Sequence, residues 1–108
     1  MELGPKQKEW IDALRSRKFK QGCGKLYDEA NDTYCCLGVA AKLFDFDGVN
    51  NILLSADDYQ KIGLRTCNGA SNTGLHKNLA TLNDENMTFL EIADILEKNP
   101  EEWFTSSL

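Results

Sequence analysis

The cysteines and the single histidine are the side chains that could supply a nucleophile and a base. Thiol catalysis needs a thiolate and a nearby base, and the candidate pair is Cys35 or Cys36 with His76. We expect Cys36 to begin a helix, where the dipole lowers a thiol pKa, so a small cysteine-dependent hydrolase is one function to consider. The alternative, which we favour, is a buried thiol that packs as a small apolar side chain.

The spacing of the cysteines does not indicate a metal site. Structural zinc sites use closely spaced ligand pairs, and this chain has no C-x-x-C and only one histidine, His76. Adjacent Cys35 and Cys36 project in different directions, and Cys67 with His76 is too small a set. The segment 45–48, DFDG, resembles part of a calcium loop, but its glycine comes too early and no glutamate follows. We expect structural thiols, with no metal and no cofactor.

The polar residues before the cysteine pair indicate binding. Lys18, Lys20 and Gln21 precede Gly22 and Gly24, and backbone amides around such glycines can form a donor-rich rim for phosphate or carboxylate. The two glycines are only half of a phosphate-binding loop, because the further glycines and the following helix are missing. Their alternative role is a positive backbone dihedral or a close approach of two elements.

A second polar pair, Asn83 and Asp84, lies at the predicted break between the last two helices. These side chains can contact a base edge or a ribose, and the alternative is helix capping and turn chemistry. A basic rim combined with this pair suits a nucleotide-like ligand, and Cys36 completes the predicted ligand-binding set. Whether the two groups share one site is open at this stage.

The charge is unevenly distributed along the chain. Residues 1–27 contain seven Lys or Arg and three acids, a net of +4, whereas residues 28–108 contain five and fourteen, a net of −9. Duplex DNA binding needs a broad basic surface, so we expect no duplex DNA. A small anion or the edge of a host protein suits the basic portion better.

One segment nevertheless resembles a DNA-binding motif. The stretch 79–97, LATLNDENMTFLEIADILE, is similar to the opening of a helix-turn-helix. No recognition helix follows, and the acidic PEEWF that comes next would repel phosphate. A nucleic-acid-binding regulator therefore stays as an alternative function.

Hydrophobic periodicity predicts the elements that position these residues. Pro5 opens an amphipathic helix over 5–17, and 25–28 pairs with 33–35 as a hairpin around the turn-rich DEAND. Residues 36–44 form a buried central helix. Three further elements are a helix capped by Ser55 and closed by Gly63, one marked by Leu75, Leu79 and Leu82, and one that begins with the Thr88–Glu91 capping box and stops at Pro100.

Length and composition bound the class of protein. A chain of 108 residues with 42% hydrophobic and 27% charged residues folds as one domain, residues 1–108. No apolar run approaches the roughly 20 residues that cross a bilayer, and no leader is recognisable, so we expect a cytosolic protein without a membrane partner. Small binding proteins often pair to complete a pocket, and self-association is open.

Two motifs together resemble small bacteriophage-encoded proteins of unknown activity. Their pattern is K-Q-G-x-G-x-L, then Y-C-C-L-G-V, and later L-x-x-L-N-D with F-x-x-I-A-D. In this chain the pattern falls on Lys20, Gln21, Gly22, Gly24, Leu26, Tyr34, Cys35, Cys36, Leu37, Gly38, Val39, Leu79, Leu82, Asn83, Asp84, Phe89, Ile92, Ala93 and Asp94. Two positions depart from it: Cys23 stands where a basic residue is common, and Asn86 replaces a glycine, which Asn can do in a left-handed turn.

The resemblance implies phage origin and action in the cytoplasm of a bacterial host. The elements predicted from periodicity and turn signals together make a compact α+β domain of four to five short helices with a small antiparallel hairpin. Its expected function is non-enzymatic binding against host defence, either by sequestering a nucleotide-like signal or by inhibiting a host enzyme.

Overall fold

A computed structural model describes residues 1–46, 51–74 and 76–108. These residues form six helices and one two-stranded antiparallel hairpin with a radius of gyration of 12.2 Å, which confirms the α+β prediction. The sequence predicted four to five helices, and the sixth is the last in the chain and only four residues long. In chain order the elements are α1 (Pro5–Arg15), β1 (Tyr27–Asp28), β2 (Thr33–Tyr34), α2 (Cys36–Leu43), α3 (Ala56–Lys61), α4 (Leu79–Asp84), α5 (Phe89–Lys98) and α6 (Pro100–Trp103).

Helix α1 begins at Pro5 as predicted and packs against α5 and α2. Its apolar face, Trp10, Ile11 and Leu14, is fully buried because these positions share one side of a 3.6-residue period. The indole N–H of Trp10 also donates to the carbonyl of Cys36 at 3.0 Å. This bond ties α1 to the first residue of α2.

The predicted hairpin is present but shorter, with Tyr27 opposite Tyr34 and Asp28 opposite Thr33. Gln21 forms a parallel bridge with Tyr34 of β2 that the sequence did not predict. The N–H of Tyr34 donates to the carbonyl of Lys20 at 2.8 Å, and the N–H of Gly22 donates to the carbonyl of Tyr34 at 2.7 Å. We call residues 18–22 the basic strip.

Helix α2 is the centre of the molecule, as its small apolar residues predict. Its residues from Cys36 to Ala41 are all buried. Gly38 allows this packing, because a Cβ there would lie 1.7 Å from the carbonyl oxygen of Leu26. The thiol of Cys35 caps the helix by accepting from the N–H of Gly38 at 3.3 Å.

The C-terminal helices begin at the caps that the sequence signals. Ser55 accepts from the N–H of Asp58, and Thr88 and Glu91 form the predicted capping box of α5. Helix α4 begins at Leu79 behind an Asn78 cap. The predicted contribution of Leu75 to that helix, and the calcium-loop positions Asp47 and Gly48, lie outside the described residues.

Loop 65–74 is irregular, as expected, and hydrogen bonds tie it to α6. The carboxylate of Glu102 accepts from the hydroxyls of Ser71 and Thr73 at 2.5 and 2.7 Å. The guanidinium of Arg65 donates to the carbonyls of Glu101, Glu102 and Phe104. Within the described part of the chain, no helix has the length and apolar character needed to cross a membrane.

Candidate functional site

The side chain of Asn83 joins three segments of the chain. It lies at the end of α4, is only 3% exposed, and its Oδ1 accepts from the N–H of Cys36 at 3.1 Å and from Gln21 Nε2 at 2.9 Å. Its Nδ2 donates to the carbonyl of Gly22 at 2.8 Å. Asn83 thus fixes α4 to the start of α2 and to the basic strip.

Gln21 completes the same network from the other side. Its Nε2 also donates to the carbonyl of Met87 at 2.7 Å, and its Oε1 accepts from the N–H of Phe89 at 3.1 Å. The amide therefore occupies polar backbone groups in the turn between α4 and α5. We call the side chains of Gln21 and Asn83 the amide clasp.

The amide clasp is internally satisfied. Each oxygen and each nitrogen of Gln21 and Asn83 has at least one protein partner, and no buried side-chain nitrogen or oxygen in the described residues lacks one. A ligand that used these amide atoms would have to compete with bonds that hold the fold. The sequence offered helix capping and turn chemistry as the alternative role of Asn83. Its hydrogen bonds to the start of α2 and to the basic strip give it a wider structural role than that.

Asp84 and Gly24 meet next to the clasp. The exposed carboxylate of Asp84 accepts from the N–H of Gly24 at 3.2 Å. Gly24 has a φ of 88°, a left-handed conformation that favours glycine. Asn83 and Asp84 are the last two residues of α4, so they lie at the end of the helix and not in the break after it, where they were predicted.

A cleft of about 320 Å³ opens beside the clasp. Its lining contains Gln21, Gly22 and Asn83 from the predicted set. Three further lining residues were not in that set: Cys23, Asn86 and Thr88. Asn86 has a φ of 75°, which agrees with its expected left-handed turn, and this departure from the phage pattern is the signal that pointed to it.

The lysines of the basic strip have different surroundings from the clasp. Lys18 and Lys20 are exposed, and neither forms an ion pair within residues 1–46, 51–74 and 76–108. Arg15, by contrast, bonds to Glu97 and Asp94 at 3.0 and 2.8 Å, which raises the pKa of its guanidinium and lowers that of Glu97. The two lysine charges are therefore available to an external anion.

Cys36 does not have the reactive environment that its helix position suggested. Its side chain is fully buried, and this desolvation raises the pKa of the thiol well above its usual value. Burial also raises the pKa of the Cys35 thiol to about 11. The expected dipole effect on Cys36 is outweighed, and its contribution to the clasp is its backbone N–H.

Helix α5 presents carboxylates where a DNA-binding helix would present cations. Its apolar face packs against α1, while Glu91, Asp94 and Glu97 are exposed. The element that follows is the four-residue α6, which carries Glu101 and Glu102. A larger open cleft of about 560 Å³, lined partly by Tyr59, lies elsewhere, beside α3.

The described residues contain no group of three or more His, Cys, Asp or Glu that could hold a metal ion. In comparisons with known proteins, residues 4–68 match the family model described as a domain of unknown function, DUF8296. The match covers more than half of the chain, from α1 to the residue after Cys67. No curated protein and no solved structure matches the chain.

Proposed function

The chain belongs to the DUF8296 family of domains of unknown function, and we propose that it is a non-enzymatic binding protein that sequesters a nucleotide-like signal. The observation that carries the proposal is the basic strip, whose lysines are exposed and unpaired among the described residues while its glutamine is bonded inside the fold. A rigid backbone thereby presents free cations. Two exposed positive charges on a backbone that is held in place are suited to anion binding.

The cleft beside the strip supports a small ligand. Its volume of about 320 Å³ is within the range of small-molecule pockets. Its rim includes the exposed side chains of Cys23, Asn86 and Thr88.

The surroundings of the thiols support binding over hydrolysis. A nucleophilic cysteine needs a lowered pKa and access to substrate, and Cys36 has neither. His76 lies against Trp103, with ring centroids 5.7 Å apart, on a different part of the fold. The exposed acids of α5 likewise disfavour phosphate contacts by that helix.

The biological setting of the proposal is a bacterial host during phage infection. It is based on the resemblance of the Y-C-C-L-G-V and L-N-D motifs to phage-encoded proteins. A small protein that binds a signal stoichiometrically would lower its free concentration in the host cytoplasm. The host's defence response would then fail to start.

Direct titration tests the binding claim. Isothermal titration calorimetry with mono-, di- and cyclic nucleotides should give saturable binding of at least one class, at low salt, with one site per chain. Raising the salt concentration should weaken the binding, because exposed lysines contribute screened charge. Absence of heat and of thermal stabilisation with every nucleotide would contradict sequestration.

Matched charge variants test whether the basic strip is responsible. Lys18→Gln with Lys20→Gln should abolish most of the nucleotide binding. Lys6→Gln with Lys8→Gln removes the same charge from two exposed lysines of α1 and should leave binding unchanged. Equal loss of nucleotide binding in both double variants would contradict a specific role of the basic strip, because net charge alone would then determine the affinity.

A cellular assay tests the setting. The protein should raise phage plating on a bacterial strain whose defence uses a nucleotide signal, and Lys18→Gln with Lys20→Gln should abolish this effect. If the double variant lost the effect although the wild type bound no nucleotide, sequestration would be overturned in favour of inhibition of a host enzyme.

A further inference from the structure

Three aromatic rings lie against one another beside the basic strip. Phe19 meets Tyr34 edge to face, with ring centroids 5.2 Å apart and planes at 90°. Tyr34 in turn lies against Tyr27, with centroids 4.7 Å apart and planes at 34°. All three side chains are only half-buried. We call Phe19, Tyr34 and Tyr27 the aromatic stack.

The aromatic stack and the lysines belong to one surface element. Phe19 stands between Lys18 and Lys20 in the strip. The backbone of Tyr34 is bonded to the strip on both sides, to the carbonyl of Lys20 and to the N–H of Gly22. The ring of Tyr34 is therefore held at a fixed distance from the lysine backbone.

The two ends of the stack carry opposite charge. Phe19 is flanked by lysines, whereas the hydroxyl of Tyr27 donates to the carboxylate of Asp32 at 3.1 Å. This bond is the main cause of the raised pKa of Tyr27, and the nearby charge of Glu29 contributes to it. A cross-strand tyrosine pair stabilises any hairpin. That role does not require opposite charges at the two ends of the aromatic stack.

A ligand that matches this surface has a flat ring, an anionic group at one end and hydrogen-bond donors at the other. We infer that the aromatic stack receives the base of the nucleotide, with phosphates toward Lys18 and Lys20 and an amino-bearing base edge toward Asp32. This inference rests on the proposed function and names its ligand class: nucleotides of amino-bearing bases. Stacking on aromatic side chains tolerates many bases, so the carboxylate provides the discrimination.

Three probes separate stacking from charge: adenosine triphosphate, inosine triphosphate and inorganic tripolyphosphate. All carry a triphosphate, but only the first has an exocyclic amino group and the third has no base. Calorimetry should rank their affinities in that order. Tyr27→Leu should weaken adenosine triphosphate binding about thirtyfold, the middle of the range for loss of one base–aromatic stack, and leave tripolyphosphate binding unchanged.

Two control variants separate loss of the Tyr27 ring from other effects of the substitution. Tyr27→Phe retains the ring and loses only the bond to Asp32, so it should retain most of the affinity. Tyr59→Leu removes a half-buried tyrosine that lines the other cleft and should have no effect on binding. Circular dichroism melts of each variant establish that it is folded.

The outcomes distinguish this inference from the proposed function. Equal affinity for adenosine triphosphate and tripolyphosphate, or unchanged binding by Tyr27→Leu, would overturn the role of the aromatic stack and leave anion binding by the lysines standing. Failure of all three probes to bind would overturn this inference, and failure of the mono-, di- and cyclic nucleotides as well would overturn the proposed function.

Discussion

Lys20 and Gln21 are neighbours on the basic strip, and their side chains have opposite surroundings. The amide of Gln21 makes three hydrogen bonds to the α4–α5 region, whereas the ammonium of Lys20 is exposed and has no ion-pair partner within the described residues. The same backbone therefore holds the fold with one residue and displays charge with the next. The stability of the fold and the proposed binding therefore depend on different side chains, and they should separate on mutation.

Asn83→Ala should have the largest effect on stability. It leaves the buried N–H of Cys36 and the carbonyl of Gly22 without their partner, and unsatisfied groups of this kind lower the free energy of unfolding by about 3 kcal/mol together. Urea denaturation measures the loss. Asn72→Ala, at an exposed loop position, is the control and should change little. A loss below about 1 kcal/mol for Asn83→Ala would mean that the clasp is not a stabilising element.

Gln21→Leu should destabilise the protein by a smaller amount, about 2 kcal/mol, because its bonds to Met87 and Phe89 are only partly buried. Hydrogen exchange should locate the effect at the N–H of Phe89, which loses its acceptor. Unchanged protection of this amide would contradict the assigned bond. A variant that combines Gln21→Leu with Asn83→Ala should lose less than the sum, since the two side chains share a bond.

Glu102 provides a pH-dependent contrast to the neutral clasp. Hydrogen bonds from Ser71 and then Thr73 lower the pKa of its carboxyl below the usual 4.5, so the carboxylate stabilises the fold at neutral pH and this contribution is lost as pH falls through the acidic range. Glu102→Gln should lower the melting temperature at pH 7, by less than Gln21→Leu does. The gap to the wild type should narrow as pH falls below about 4.5. A gap that is constant with pH would contradict this charge effect.

The smallest effect on stability is expected for the lysines. Lys18→Gln with Lys20→Gln removes no bond within the described residues, so the free energy of unfolding without ligand should change by less than about 0.5 kcal/mol. Urea denaturation of the double variant measures it. A larger loss would show that these lysines stabilise the fold after all.

The elements that depend on local pattern were predictable. The apolar face of α1, the small residues of α2 and the capping box of α5 are local signals, and each is confirmed. The α+β class followed from them. The bonds within each cap span only three residues, so their partners are visible in a short stretch of sequence.

The arrangement of the site was less predictable because its contacts are non-local. The bond between Asn83 and Gly22 joins residues 61 positions apart, and no periodicity signals it. Cys36 shows the same limit, since its position at a helix start was correctly predicted but its burial depends on α4 packing from far along the chain. Sequence reasoning selected Gln21, Gly22 and Asn83 as a polar set. The sequence does not show that the amides of Gln21 and Asn83 bond to each other and to backbone groups of α2, the basic strip and the α4–α5 turn.

The most direct test of the account is a set of thermal unfolding curves for the wild type and for Lys18→Gln with Lys20→Gln, each with and without adenosine triphosphate. Linkage predicts that ligand raises the midpoint of the wild type only. We predict that the double variant unfolds at the wild-type temperature without ligand and shows no shift with it. A double variant that keeps the full ligand shift, or one that is destabilised without ligand, would contradict the division of the strip into a stabilising glutamine and binding lysines.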